Sequence, residues 1–208
     1  MTEPDVTLTD LGLALECAVL TCLVGRYPPT PLRRAFVVFF GSVALSALAG
    51  AAVHGSFVRG RAAGIVWPIT LIALGLTALA AWRIGAALIA SRPGRWVARA
   101  ALVAFLLYGG TVLFVTQSFS AAIVNYVPAM LFLFAVFLRT WRRTGATGPL
   151  SGAVALALML VGSLVQLDRV TLHPVYFNHN ALYHAIEAIA LLFMLGAASW
   201  ATAARAKR

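Results

Sequence analysis

The residues able to do chemistry are few, and they gather. The sequence offers four histidines, His54, His173, His179 and His184, and six acids, Glu3, Asp5, Asp10, Glu16, Asp168 and Glu187. His54, His179 and His184 are candidate ligands for one zinc ion with a fourth position open to water. That is the pattern of catalytic zinc, which brings the pKa of its water to about 7. Glu16 or Glu187 would then act as general base, or hold an imidazole in orientation. Asn180, His184 and Glu187 are spaced i, i+4, i+7 and so share one face of a helix, with Tyr183 at its border. His179 is five residues from His184 and about 100° round the helix from Asn180, but at a helix start the backbone can turn it inward. Gln166, Asp168 and Asn125 are candidates for the surrounding polar wall.

The chain that must position these groups is 208 residues long, 62% hydrophobic and 11% charged. A soluble domain is about 45–50% apolar and about 25% charged. A soluble enzyme, a disordered chain and a disulfide-stapled secreted domain are therefore excluded. Cys17 and Cys22 sit inside one apolar run and carry no redox information. Crossing a hydrocarbon layer of roughly 30 Å takes about 20 apolar residues. Seven such spans are expected, at 11–24, 35–57, 64–90, 96–116, 119–138, 151–167 and 178–202, giving an all-α, polytopic, seven-transmembrane-helix bundle in a single domain, 1–208. No charge occurs from 100 to 138. One helix of that length would run about 58 Å, so a turn at Gln117, Ser118, Phe119 and Ser120 is expected to divide it.

Charge sets the orientation. With the N-terminus outside and the C-terminus cytoplasmic, thirteen basic residues fall inside and only Arg59, Arg61 and Arg169 outside, as the positive-inside rule requires. The first span has its basic residues after the apolar run, opposite to a signal peptide, and reads as a retained helix. In this topology every acid and every histidine lies outside or in the outer half of a helix. Asp10, directly before the first apolar run, reads as a helix N-cap. His173 reads as a solvated loop residue. Ser46, Thr70, Thr77 and Thr111 read as hydroxyls bonded to their own helix backbone. Trp67, Trp82, Trp96, Trp141 and Trp200 read as interface anchors. Glu16, His184 and Glu187 are costly at membrane depth, where ionisable groups face the bundle interior and pair.

Three short stretches carry a resemblance. Glu16 in the first span, Gly50-Ala-Ala-Val-His54 in the second and Asn180-Ala-Leu-Tyr-His184 in the seventh are similar to elements of the superfamily of alkaline ceramidases, progestin/adiponectin-type receptors and hemolysin-III-like proteins. The pattern of that superfamily is a Glu in helix one, Ser-x3-His in helix two, an Asp near helix three and His-x3-His in helix seven. Here Gly50 stands in place of the Ser, Asn180 in place of the first His of helix seven, and helix three has no Asp. The resemblance implies a membrane-embedded zinc-dependent hydrolase of a lipid amide or ester, with a membrane lipid as substrate. The same residues would serve a receptor or small-molecule transporter that binds in the polar cavity without catalysis. Haem between His54 and a seventh-span histidine is a lesser alternative. Retinal is excluded, because Lys207 is the only lysine and lies in the tail. No motif for nucleic acid is present. The expected location is the plasma membrane of a bacterium.

Overall fold

The computed structural model describes residues 3–89, 92–173 and 176–206. They form seven helices: α1 (Pro4–Gly25), α2 (Pro31–His54), α3 (Arg61–Ile89), α4 (Arg92–Phe114), α5 (Phe119–Thr144), α6 (Thr147–Leu167) and α7 (His179–Ala206). All seven are long and apolar enough to cross a membrane. Ala90, the expected end of the third span, and Lys207 lie outside the described residues.

Local signals set the boundaries. Proline is suited to the first turn of a helix, where its missing N–H would have no intrahelical partner. Pro4 and Pro31 open α1 and α2 in this way, and the Thr30 hydroxyl caps α2 by accepting from the Arg33 N–H at 3.1 Å. Asn178 is outside α7 and caps it, its Oδ1 accepting from the N–H groups of Asn180 and Ala181. Gly145, at φ 63°, stops α5 in the left-handed conformation that glycine adopts without strain. The largest departure from expectation is at the N-terminus. α1 begins seven residues before the expected span, so Asp10 is inside the helix and buried rather than at its cap. The break between the fourth and fifth helices is real but lies at 115–118, two residues earlier than the expected turn.

Six helices close a ring in the order α1, α2, α3, α5, α6, α7 and back to α1. α4 stands outside it, packed mainly on α3, and buries only Gly94, Ala101, Tyr108 and Val112 among its described residues. Because lipid is as apolar as leucine, packing of such helices depends on close approach and interhelical hydrogen bonds rather than on the hydrophobic effect. Both are present. Gly148 lies so close to α7 that an added Cβ would collide with Trp200 Cβ. Ser42 and Thr77 are 2.8 Å apart between α2 and α3, and the Tyr108 hydroxyl donates to the Leu71 carbonyl at 2.9 Å. Phe36, Phe39, Phe40, Leu133, Phe137, Leu156, Leu191 and Met194 fill the ring and are fully buried.

Two groups of polar and aromatic residues depart from their expected roles. Thr77 and Thr111 do bond their own backbone, to Ala73 and Leu107. Ser46 instead reaches across to the Thr70 carbonyl, and the buried Thr70 Oγ1 has no hydrogen-bond partner. Trp67 donates to the Gln117 carbonyl at 2.9 Å, bridging α3 to the link after α4, and Trp82 stacks on Phe132 at 4.5 Å. Trp67, in the second turn of α3, thus ties that helix end to the link, and Trp82 ties α3 to α5.

Overpacking a tight crossing typically costs about 1–3 kcal/mol. Gly148→Val is therefore expected to lower the thermal unfolding midpoint in mild detergent. Gly110→Ala, where nothing lies within 4 Å of the added atom, is expected to leave it unchanged.

Candidate functional site

At the end of the bundle where α1 begins and α2 finishes, a cavity of about 180 Å³ opens between α1, α2, α3 and α7. Asp10, Gly50, His54, Thr70, Gln166, Asn180, Tyr183, His184 and Glu187 contribute to its wall, with Val6, Leu13, Trp67 and Phe119 as apolar cover. Among the described residues no Lys or Arg lines it.

The first turns of α1 organise this end. Glu3 Oε2 is 2.7 Å from His54 Nδ1, which ties the start of α1 to the end of α2. Asp5 Oδ2 accepts from the Asn178 N–H at 2.9 Å, which ties α1 to the cap of α7. One turn deeper, Thr9 Oγ1 is 3.0 Å from His184 Nδ1, and Asp10 Oδ1 is 3.4 Å from His184 Nε2. Residues 9 and 10 thus hold the two sides of one imidazole. The other carboxyl oxygen, Asp10 Oδ2, is buried and has no hydrogen-bond partner. It faces Gly50, where an added Cβ would sit 3.1 Å away. The glycine that departs from the Ser-x3-His pattern therefore makes the room that Asp10 occupies.

The expected site residues divide into two groups. His54, Gln166, Asn180, Tyr183, His184 and Glu187 meet at the cavity. Within it, Gln166 Nε2 donates to Asn180 Oδ1 at 3.1 Å, joining α6 to α7, and Tyr183 and Glu187 lie one turn apart on α7. Glu187 is only 8% exposed. His179, Glu16, Asp168 and Asn125 are not in the wall. His179 is the first residue of α7, half-buried, and does not line the cavity. Glu16 is about 9 Å along α1 from Asp10 at 1.5 Å per residue. Its Oε1 is buried without a hydrogen-bond partner. Asp168 is exposed at the end of α6, and Asn125 is half-buried on α5, two turns in from Phe119, and does not line the cavity.

Three zinc-ligating histidines do not converge. Among the described residues no group of three or more His, Cys, Asp or Glu side chains is arranged to hold a metal ion. His54 turns Nδ1 to Glu3, His184 is held by Thr9 and Asp10, and His179 is outside the cavity. The donor set does not fit a three-histidine zinc centre. Asp10, Thr9, Glu3 and Asp5 are the participants that residue spacing alone did not reveal. The available signal was Pro4: its preference for the first helical position moves the start of α1 back and carries Asp10 two turns into the helix.

Gly50 and Asp10 are coupled by contact. Gly50→Ala is expected to destabilise the protein in the presence of Asp10 and to cost less in an Asp10→Ala background. A double-mutant cycle on thermal unfolding should give a nonzero interaction energy, about 0.5–3 kcal/mol for touching residues.

No curated protein and no solved structure matches the chain. A family profile does match, from the first turn of α1 to the last turns of α7. On that match, over residues 6–202, the chain belongs to DUF6962, a family of unknown function.

Proposed function

We propose that this is a ligand-binding membrane protein, a receptor or small-molecule transporter, which takes an N–H or O–H donor group into the cavity beside Asp10. The carrying observation is the buried Asp10 Oδ2 with no hydrogen-bond partner in the cavity wall. A buried polar atom left unpaired costs about 1–3 kcal/mol, so a donor that completes it is bound with that much advantage. Asp10 and Glu187 in a wall without Lys or Arg favour a neutral donor or an amine over an anion. A volume of about 180 Å³ is below the roughly 300–1,000 Å³ of sites for drug-sized ligands. The occupant is thus a small molecule, or the polar head of a longer one. In this reading the N-terminus is outside and the C-terminus cytoplasmic, supported by thirteen basic residues on one side against three on the other.

A zinc-dependent hydrolase of a lipid amide or ester is the second reading. One observation favours it: two ligands of a tetrahedral zinc ion, each at about 2.1 Å, lie about 3.4 Å apart, and that is the separation of Asp10 Oδ1 and His184 Nε2. The absence of a third protein donor in place among the described residues ranks it behind the first.

Short n-alkylamines are expected to raise the thermal midpoint of the purified protein, while matched n-alkylcarboxylates do not. Asp10→Asn is expected to abolish the amine shift. Equal shifts from both series, or an amine shift that survives Asp10→Asn, would overturn the binding reading. Stoichiometric zinc in the purified protein, lost on His184→Ala, would establish the second reading instead. Orientation has its own test. In a Cys17→Ala, Cys22→Ala background, a membrane-impermeant maleimide added to intact cells should label Gln117→Cys and not Gly145→Cys.

A further inference from the structure

A second and larger pocket, of about 530 Å³, lies at the opposite end of the bundle between α2, α3 and α4. Its wall is built from small and branched apolar residues, including Ala35, Val38, Leu79 and Ala80, together with three arginines, Arg34, Arg83 and Arg95. None of the three has an ion pair or a side-chain hydrogen bond among the described residues. The sequence places no acid near them, since all six acids lie on α1, α7 or the α6–α7 link.

Three like charges in one pocket without a carboxylate repel one another. Arg83 makes the arrangement costlier. It lies six residues, or about 9 Å, inside the end of a membrane-spanning helix. Arginine at that depth is expensive unless it reaches an anion or the interface. The fold nevertheless draws the groups together. α4 closes onto α3 so tightly at Gly94 that an added Cβ would fall 2.5 Å from the Ala86 carbonyl oxygen, which brings Arg95 to the pocket edge. α2 and α4 begin at this end and α3 ends there, so two positive helix poles and one negative pole face the pocket and leave a small net addition to the field of the guanidinium groups.

From this convergence we infer that the pocket is a binding site for a phosphate group, presented by an anionic phospholipid. Guanidinium groups pair phosphate oxygens through parallel N–H donors, and several around one phosphate remove the mutual repulsion. The volume exceeds what inorganic phosphate would fill, and the apolar wall suits the glycerol-proximal part of an acyl chain. Basic pockets between spanning helices hold lipid headgroups by this chemistry. The site is separate from the cavity beside Asp10 and stands or falls independently of it.

Thermal unfolding of the detergent-purified full chain tests the inference. The probes are dioleoylphosphatidylglycerol, dioleoylphosphatidylcholine and inorganic phosphate, added to wild type and to the R34Q/R83Q/R95Q variant. Phosphatidylglycerol is expected to raise the wild-type midpoint well above phosphatidylcholine, and the triple variant is expected to lose that difference. A wild-type rise with inorganic phosphate that the variant lacks also supports the phosphate site and assigns a soluble source. An undiminished phosphatidylglycerol shift in the variant, or no wild-type shift with either anion, overturns the inference. If the triple variant does not fold, native mass spectrometry of R83Q alone decides. Retained phosphatidylglycerol should fall, with apparent affinity down about tenfold for one lost charge-assisted contact, and wild-type retention would overturn the site.

Discussion

The structure turns on one buried carboxyl group. Asp10 is 4% exposed, two turns inside a membrane-spanning helix, between α2 and α7. A group so costly to bury needs partners from every side. α7 supplies His184, and α2 supplies space, through Gly50. Those two accommodations fix how α1 sits against its neighbours. Glu3, Asp5 and Thr9 then repeat the tie at successive levels of the same helix. The polar end of the bundle is therefore a set of carboxyl and hydroxyl groups at the start of α1, met by partners on α2, on α7 and at the cap of α7. The cavity is what remains when those ties are made.

That arrangement gives the two ends of the bundle opposite chemistry. The end where α1 begins collects carboxyl groups and imidazoles around a small cavity with no Lys or Arg in its wall among the described residues. The other end collects arginines around a larger, mostly apolar pocket with no carboxylate. The two ends therefore differ in the sign of the charge they present, the arginines being exposed at theirs and Asp10 and Glu187 buried at the other. On the readings proposed above, recognition at the first would rest on a missing hydrogen-bond donor, and at the second on excess positive charge.

The departures from the ceramidase-like pattern acquire physical meaning together rather than one at a time. Without a side chain at Gly50, the α2 backbone lets Asp10 approach. Asn180, where a histidine would be a ligand, accepts from Gln166 and links α6 to α7. His179 cannot replace it, because one residue earlier on a straight helix is a different face. Gly50 and Asn180 both line the same hydrogen-bonded cavity.

Composition and charge alone determined the class of molecule. Apolar content this high requires lipid contact, and the run of length without charge between 100 and 138 had to be two helices because one would overrun the bilayer. The i, i+4, i+7 relation of Asn180, His184 and Glu187 was equally legible, since helix geometry fixes which residues share a face, and all three do line the cavity. What the sequence left open was everything that depends on how helices meet. Whether His54 turns to a metal or to Glu3, and whether Asp10 caps a helix or fills a gap opposite Gly50, are decided by contacts between residues 40 or more positions apart, and which arginines share a pocket by how α2, α3 and α4 pack. No local spacing encodes these, because they arise only when the ring of helices closes and each buried polar group has to find its partner in another helix.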